Sequence, residues 1–276
     1  MNGKLYLCAT PIGNLSDISD RLRETLSSVD IIAAEDTRRT LKLLNHLGIK
    51  KQMISYYEHN KREKGTELLK ILHDGKDIAL VSDAGTPAIS DPGEDLVALC
   101  AENGIDVVPV PGCVAAICAL IVSGLPTGRF SFEGFLSVNK RSRGERLEEI
   151  KNDQRTLIFY EAPHKLRTTL RDMLETFGNR RIALCRELTK LHEEIIRTDL
   201  EKAQTLYSEE KPPKGEFVLV IEGASEDGLK EEINCSVRER YEYFLSQGDD
   251  EKTAMKKVAQ ERGVSKRDIY AEIKID

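Results

Sequence analysis

The chain predicts an α/β fold with two sheet domains, the first mainly parallel and the second mixed, followed by a small helical tail. Three observations carry this. Short apolar runs alternate with amphipathic helical stretches from residue 5 to about 123, the pattern of a parallel sheet with helices on both faces. Between residues 129 and 223 the runs become longer and more β-branched, as in a mixed sheet. Beyond residue 235 only helical periodicity is left.

Leu5 to Thr10 reads as the first strand and stops at the corner Pro11-Ile12-Gly13-Asn14. Ile18, Leu22, Leu26 and Val29 share one face of a helix, and Asp30 to Ala34 is the next strand, ending in Glu35-Asp36-Thr37-Arg38-Arg39. Leu41, Leu43, Leu44 and Leu47 mark a helix stopped by Gly48, after which Met53 to Tyr57 gives a third strand. Leu68, Leu69, Ile71 and Leu72 mark another helix. Ile78 to Val81 is a short buried strand that runs into Ser82-Asp83-Ala84-Gly85-Thr86-Pro87. The following helix is expected over 91–102, with Asp91 as its cap and Pro92 at its first position. Asp106 to Val110 is a strand closed by Pro111-Gly112-Cys113-Val114-Ala115-Ala116.

Ser123 to Gly128 holds the densest turn signal, which places a boundary there and divides the chain into an N-terminal α/β domain (1–123) and a mixed domain (129–223). In the second, Phe130 to Leu136 alternates like a half-buried strand, and the basic run Lys140 to Arg146 opens a helix. Thr156–Glu161, Arg181–Glu187, Glu194–Arg197 and Gly215–Glu222 read as strands, with a helix beginning at Pro163. Residues 224–235, with an Asp227-Gly228 turn, read as a linker. Three short helices then occupy 236–276, broken at Gly248 and Gly263; this spacing fits either a docking or dimerising appendage or a nucleic-acid module.

Composition narrows the function. With 276 residues, 40% hydrophobic and 32% charged, the chain has the makeup of an ordinary globular protein with a sizeable core. A net charge of -6 argues against coating nucleic acid by bulk charge, while leaving room for a local basic site. There is no signal-type segment and no membrane-length apolar run, so a cytoplasmic location is expected. The six cysteines form no Cys-x-x-Cys pair and the five histidines lack ligand spacing, so reduced core thiols are expected, and neither disulfides nor a metal. Gly-x-Gly, the P-loop pattern and Gly-x-Ser-x-Gly are all missing, which removes the commonest dinucleotide, nucleotide-triphosphate and hydrolase signatures.

What remains is three strand-end corners, at 10–14, 82–87 and 110–116, each rich in small residues that let backbone groups approach a ligand closely. In an open α/β sheet such corners sit where ligands bind. Taken with Ala34-Glu35-Asp36-Thr37-Arg38, Phe159-Tyr160-Glu161-Ala162-Pro163-His164 and Gly215-Glu216-Phe217-Val218 in this order, they resemble the tetrapyrrole methylase superfamily over about residues 4 to 223. The Glu35 to Arg38 and Tyr160 to His164 motifs and the helical tail are similar to its ribosomal RNA branch, the small-subunit (16S) rRNA cytidine 2'-O-methyltransferases.

The resemblance implies S-adenosyl-L-methionine in a cleft between two α/β domains. Carried over motif by motif, its contacts would be Pro11, Ile12, Asp83, Gly85, Thr86, Cys113, Val114, Ala115, Tyr160, Glu161 and Ala162. It also implies a homodimer acting on 16S rRNA in the assembled small subunit. A ribose hydroxyl is a poor nucleophile until a base shares its proton, so the strand-end acids Glu35, Asp36, Glu161 and Glu187 are the candidate catalytic groups; each could equally be a structural ion pair. RNA contact is assigned to Arg38, Arg39, Lys140, Arg141, Arg143 and Arg146, with a merely solvated face as the alternative for the 140–146 run. A tetrapyrrole C-methyltransferase and a non-catalytic ribosome-docking protein of the same fold are the competing functions.

Overall fold

A computed structural model describes residues 2–225, 236–262 and 264–273. Two compact units emerge, one taking in 1–149 and 155–222, the other 150–154 and 223–276. In the larger unit the chain forms β1 (Leu5–Cys8), α1 (Asp20–Ser28), β2 (Ile31–Ala34), α2 (Thr37–Leu47), β3 (Gln52–Ser55), α3 (Lys61–His73), β4 (Ile78–Val81), α4 (Glu94–Glu102), β5 (Val107–Val110) and α5 (Ala115–Val122). It continues through β6 (Phe130–Phe135), α6 (Lys140–Ile150), β7 (Thr156–Glu161), α7 (Pro163–Phe177), β8 (Arg181–Arg186), β9 (Glu194–Asp199), α8 (Leu200–Thr205) and β10 (Phe217–Ile221).

The first sheet is parallel throughout, in the order β3-β2-β4-β1-β5. Parallel strands end at the same edge, so the loops after β4, β1 and β5 are neighbours there, which brings the three small-residue corners together. Ile78 to Val81 is buried on both faces, as an unbroken apolar run requires. One face packs Leu5, Leu68, Leu72, Leu80 and Leu96 together, the other Leu22, Leu26, Ile32, Leu44 and Val81.

The second sheet runs β6-β7-β10-β8-β9 and is mixed: β6 pairs parallel with β7, and the other neighbours are antiparallel. Its register slips between Phe132 and Gly134, a bulge that turns the end of β6.

What joins the sheets is α5. Its sequence, Ala115 to Val122, is apolar all round and has no polar face to mark it as amphipathic. Ala116, Ala119 and Leu120 pack with Ile158, Ala183 and Val220 of the second sheet. The α5 segment therefore belongs to the first half by chain order and to the second by packing.

The smaller unit holds α9 (Val237–Ser246), α10 (Glu251–Arg262) and α11 (Lys266–Ile273). Tyr241, Phe244, Met255, Val258 and Ile269 form its own core, and a capping box between Ser236 and Glu239 starts it. The expected turn at Asp227-Gly228, the thiol of Cys235 and the break at Gly263 lie outside the described residues.

One helix start differs from expectation. The Asp-Pro-Gly run suggested a helix capped by Asp91, whereas α4 begins at Glu94 with Gly93 at its cap and no side-chain capping bond. Ala88 and Ser90 hold positive φ angles of 66° and 63°, and Gly93 one of 148°, so the chain makes a further turn before entering the helix. Gly93 is required there, since a Cβ would lie 2.9 Å from Leu80 Cδ2.

Candidate functional site

The three corners meet as the topology demands. Thr10 and Gly85 exchange backbone hydrogen bonds of 2.8 and 3.1 Å, and Thr86 Oγ1 donates to the Cys113 carbonyl at 3.0 Å. Gly85 has φ +87, and a Cβ on it would stand 3.2 Å from Ile12 Cγ2. These contacts form one wall of a cleft of about 570 Å³. The opposite wall comes from the second sheet and carries Phe135, Tyr160, Glu161, Ala162, Leu188 and Val218. A cleft of this size with a largely apolar lining and a few converging polar groups is typical of small-molecule sites.

Tyr160 bridges the two walls. Its hydroxyl accepts the Ala116 amide hydrogen at 3.2 Å, and its ring meets Phe132 and Phe135 edge-on at 5.0 and 5.5 Å. Burial raises the phenol above its ordinary range. Replacing Tyr160 by phenylalanine leaves the rings in place and orphans that amide, so a loss of about 1 kcal/mol in urea unfolding is expected.

Most residues selected from the sequence as cofactor contacts line this cleft: Ile12, Asp83, Gly85, Thr86, Val114, Ala115, Tyr160, Glu161 and Ala162. Pro11 instead lines a neighbouring hollow of about 220 Å³ that shares Arg39 and Asp83 with the cleft, and Cys113 contributes its carbonyl to Thr86. Among the described residues the cysteines are free, and no group of three or more His, Cys, Asp or Glu is arranged to hold a metal. No described helix is long and apolar enough to cross a membrane.

The acids sort differently. Asp36 caps α2 and pairs with Arg38 at 2.8 Å, outside the cleft lining; the Arg38 hydrogen bonds hold its carboxyl at about 2. Glu161 is buried, accepting the Ala162 amide at 2.8 Å and Thr169 Oγ1 at 2.5 Å, and so braces the start of α7. Glu187 takes the Glu216 amide at 2.8 Å and Lys190 Nζ at 3.0 Å; burial opposes its charge, but these partners keep its pKa low. Glu35 faces the cleft and takes the Asp83 amide at 3.3 Å, with burial raising its pKa. Asp83 accepts the Asp36 amide at 3.1 Å and pairs with Arg39 at 3.2 Å.

Asp91, read from sequence as a helix cap, lines the cleft. Burial and the neighbouring Glu35 charge push its carboxyl up to about 6, against the hydrogen bond from Ser82. The sequence signal was present in Asp-Pro-Gly, but that run has the same letters as a helix start.

The basic run also divides. Arg143 is 7% exposed, with Nε 2.7 Å from Asp172 and a second nitrogen donating to the Ser137 and Val138 carbonyls. Arg146 holds the enclosed Glu133 carboxylate at 2.6 Å. Arg143 is committed inside the fold, whereas Arg146 stays half exposed beside its partner, and Lys140, Arg141 and Arg38 stand exposed. The structure therefore removes Arg143 from the surface on which RNA contact was expected.

Two sheets sharing α5, with small-residue corners facing a cleft, define an α/β fold that solved structures share. A diphthine synthase aligns with a TM-score of 0.59 at 14% identity, covering 80% of this chain and 90% of that one. A uroporphyrin-III C-methyltransferase from Thermus thermophilus, complexed with S-adenyl homocysteine, aligns at 0.55 and 18% identity, covering 79% and 97%. At such identities the likeness establishes the fold. The chain belongs to the tetrapyrrole (corrin/porphyrin) methylases, whose family profile matches residues 4–204. Similar curated proteins include the ribosomal RNA small subunit methyltransferase I of Halalkalibacterium halodurans, 52% identical over 97% of this chain and 93% of that protein. The protein of the same name from Bacillus subtilis is 46% identical, over 97% and 93%.

Proposed function

We propose that this chain is an S-adenosylmethionine-dependent methyltransferase acting on small-subunit ribosomal RNA, and that it methylates the 2'-oxygen of a cytidine ribose in the assembled subunit. The single observation that carries the reading is a near-half to one-half identity, sustained over almost the whole chain, to proteins named for that RNA. The structure supports it with a cleft whose chemistry fits the cofactor. Gly85 leaves a cradle that a Cβ would fill, apolar groups such as Ile12 and Leu188 offer a surface for a flat base, and Asp83 and Glu35 give the cleft carboxylates that suit a cation.

When bound, S-adenosylmethionine supplies a methyl group on a positively charged sulfur. The chain's own part is positioning and charge. The backbone-bonded corners hold the Gly85 wall rigid, and Tyr160 ties the far wall to α5. Ile12, Asp83, Gly85, Thr86, Val114, Ala115, Tyr160, Glu161 and Ala162 are the proposed cofactor contacts, with Pro11 and Cys113 supporting the corners. RNA contact is assigned to the exposed cations Arg38, Arg39, Lys140, Arg141 and Arg146, since base-independent phosphate contacts need accessible charge. The same reading takes 1–123 and 129–223 as the two catalytic domains, 236–276 as an appendage, and a homodimer as the working form; exposed Ile117 and Ile121 on one face of α5 support the last.

Labelled methyl transfer from S-adenosylmethionine tests the reading, offered in parallel to isolated small subunits and to a porphyrin precursor. Label in the subunit RNA, located at a cytidine 2'-oxygen by mass spectrometry, is the expected result. Label in the porphyrin, or in neither acceptor, overturns it.

A further inference from the structure

Six carboxylates line the cleft, those of Glu35, Asp83, Asp91, Glu161, Glu187 and Glu216. Removing a proton from an acceptor hydroxyl takes one that has an oxygen to spare and no cation beside it. Glu161 has both oxygens engaged, by an amide and a threonine hydroxyl, and Asp83 has both engaged, by an amide and Arg39. Glu187 and Glu216 both pair with Lys190, at 3.0 and 2.8 Å. That leaves Glu35, which takes the Asp83 amide through one oxygen at 3.3 Å, and Asp91. Among the described residues Asp91 has only the Ser82 hydroxyl as a donor, one that also reaches the Gly85 carbonyl at 3.4 Å. Its backbone setting is also unusual: Ala88 and Ser90, both in the left-handed region at about 1–3 kcal/mol each, turn the chain so that Asp91 lines the cleft and does not cap α4.

We infer that Asp91 is the proton acceptor for the hydroxyl that is methylated. The inference rests on the proposed methyltransferase reading. As the hydroxyl oxygen forms its bond to the methyl carbon, the carbon–sulfur bond breaks with its electron pair passing to sulfur, and the O–H proton moves to an Asp91 oxygen. A carboxyl that titrates near 6 is ionised at neutral pH and yet more basic than an ordinary aspartate, which suits a general base. The charges that reach it are those of Glu35 at the end of β2 and Asp83 after β4, and both raise its pKa. The other titratable groups lining the cleft are Arg39 on α2, Tyr160, Glu161 and His164 on the opposite wall, and Glu187, Lys190 and Glu216 between β8 and β10.

The test uses the full chain with small subunits as acceptor. Wild-type kcat/KM should rise with pH through an apparent pKa of about 6, the value for the free protein. Asp91→Asn should lower kcat by about 100-fold or more, with cofactor affinity unchanged and the acid limb gone, and Asp91→Glu should restore part of both. A readout independent of activity is the carboxyl titration of Asp91 in the free protein by carbon NMR, expected well above the usual aspartate range. Ser82→Ala, which removes the hydroxyl donor, should move the limb to higher pH, and it decides the matter if Asp91→Asn does not fold. An undiminished Asp91→Asn rate, an ordinary titration, or loss of the limb in Glu35→Gln alone would overturn the assignment. Failure of the wild-type chain to methylate small subunits would instead overturn the function reading itself.

Discussion

Arg143→Ala is expected to destabilise the larger unit by about 2–3 kcal/mol, whereas Arg141→Ala, two residues away in the same basic run, should change stability by no more than about 0.5 kcal/mol. The contrast follows from where each charge ends. The Arg143 and Asp172 side chains are 9% and 13% exposed and meet at 2.7 Å, and the guanidinium also satisfies two carbonyls of the loop before α6. Removing it leaves a nearly enclosed carboxylate with only the half-exposed Arg171 guanidinium, 3.4 Å away, as counter-charge, and returns two loop carbonyls to solvent. Arg141, 87% exposed, pairs only with Glu145 one helical turn on, a contact that solvent screens. Urea unfolding of the two variants, compared at equal m-value, measures the difference. Similar small losses in both would mean that the Arg143–Asp172 pair contributes little. The two variants also separate function from fold: Arg141→Ala should weaken subunit binding and its salt dependence without a change in unfolding.

Arg143 shows what a chain order can and cannot reveal. Read as charge, Lys140 to Arg146 is a basic patch. Read with a helical period, Arg143 shares its face with Leu147 and Ile150, both buried, and its burial was implicit in that spacing. Its partner, Asp172, sits on α7, and no local rule connects the two. The strands and their layering were legible because burial on one or both faces dictates a period, and Ile78 to Val81 is the plainest case. The α5 helix was less so, since an all-apolar segment has no polar face to give its period away. The meeting of the three corners could be anticipated from parallel order, but which acids stay unpaired inside the cleft could not. Glu161 and Asp91 both follow apolar runs or turns in the sequence; only the fold gives one a threonine and an amide and leaves the other nearly bare.

Gly85→Val should abolish measurable cofactor binding, a weakening of about 100-fold or more, while costing the fold about 2 kcal/mol. Gly85 stands at φ +87, where a β-branched residue is strained, and it cannot rotate away because its amide and carbonyl are both bonded to Thr10. The added atoms must therefore take up the space beside Ile12 Cγ2, 3.2 Å from the new Cβ, and the Cys113 carbonyl, 3.5 Å from it. Both neighbours belong to the corners proposed to hold the cofactor, so whichever gives way changes the shape of that wall. Gly85→Ala separates the two causes. It carries the backbone strain, about 1 kcal/mol, with a methyl that the neighbours can accept by shifting a few tenths of an ångström, so its stability loss should be about half that of valine and its affinity loss much smaller. Calorimetric titration with S-adenosylhomocysteine, beside thermal unfolding of the free chains, supplies both numbers. A folded Gly85→Val that binds as tightly as the wild type would place the cofactor away from this wall, and with it the assignment of Ile12, Gly85 and Thr86.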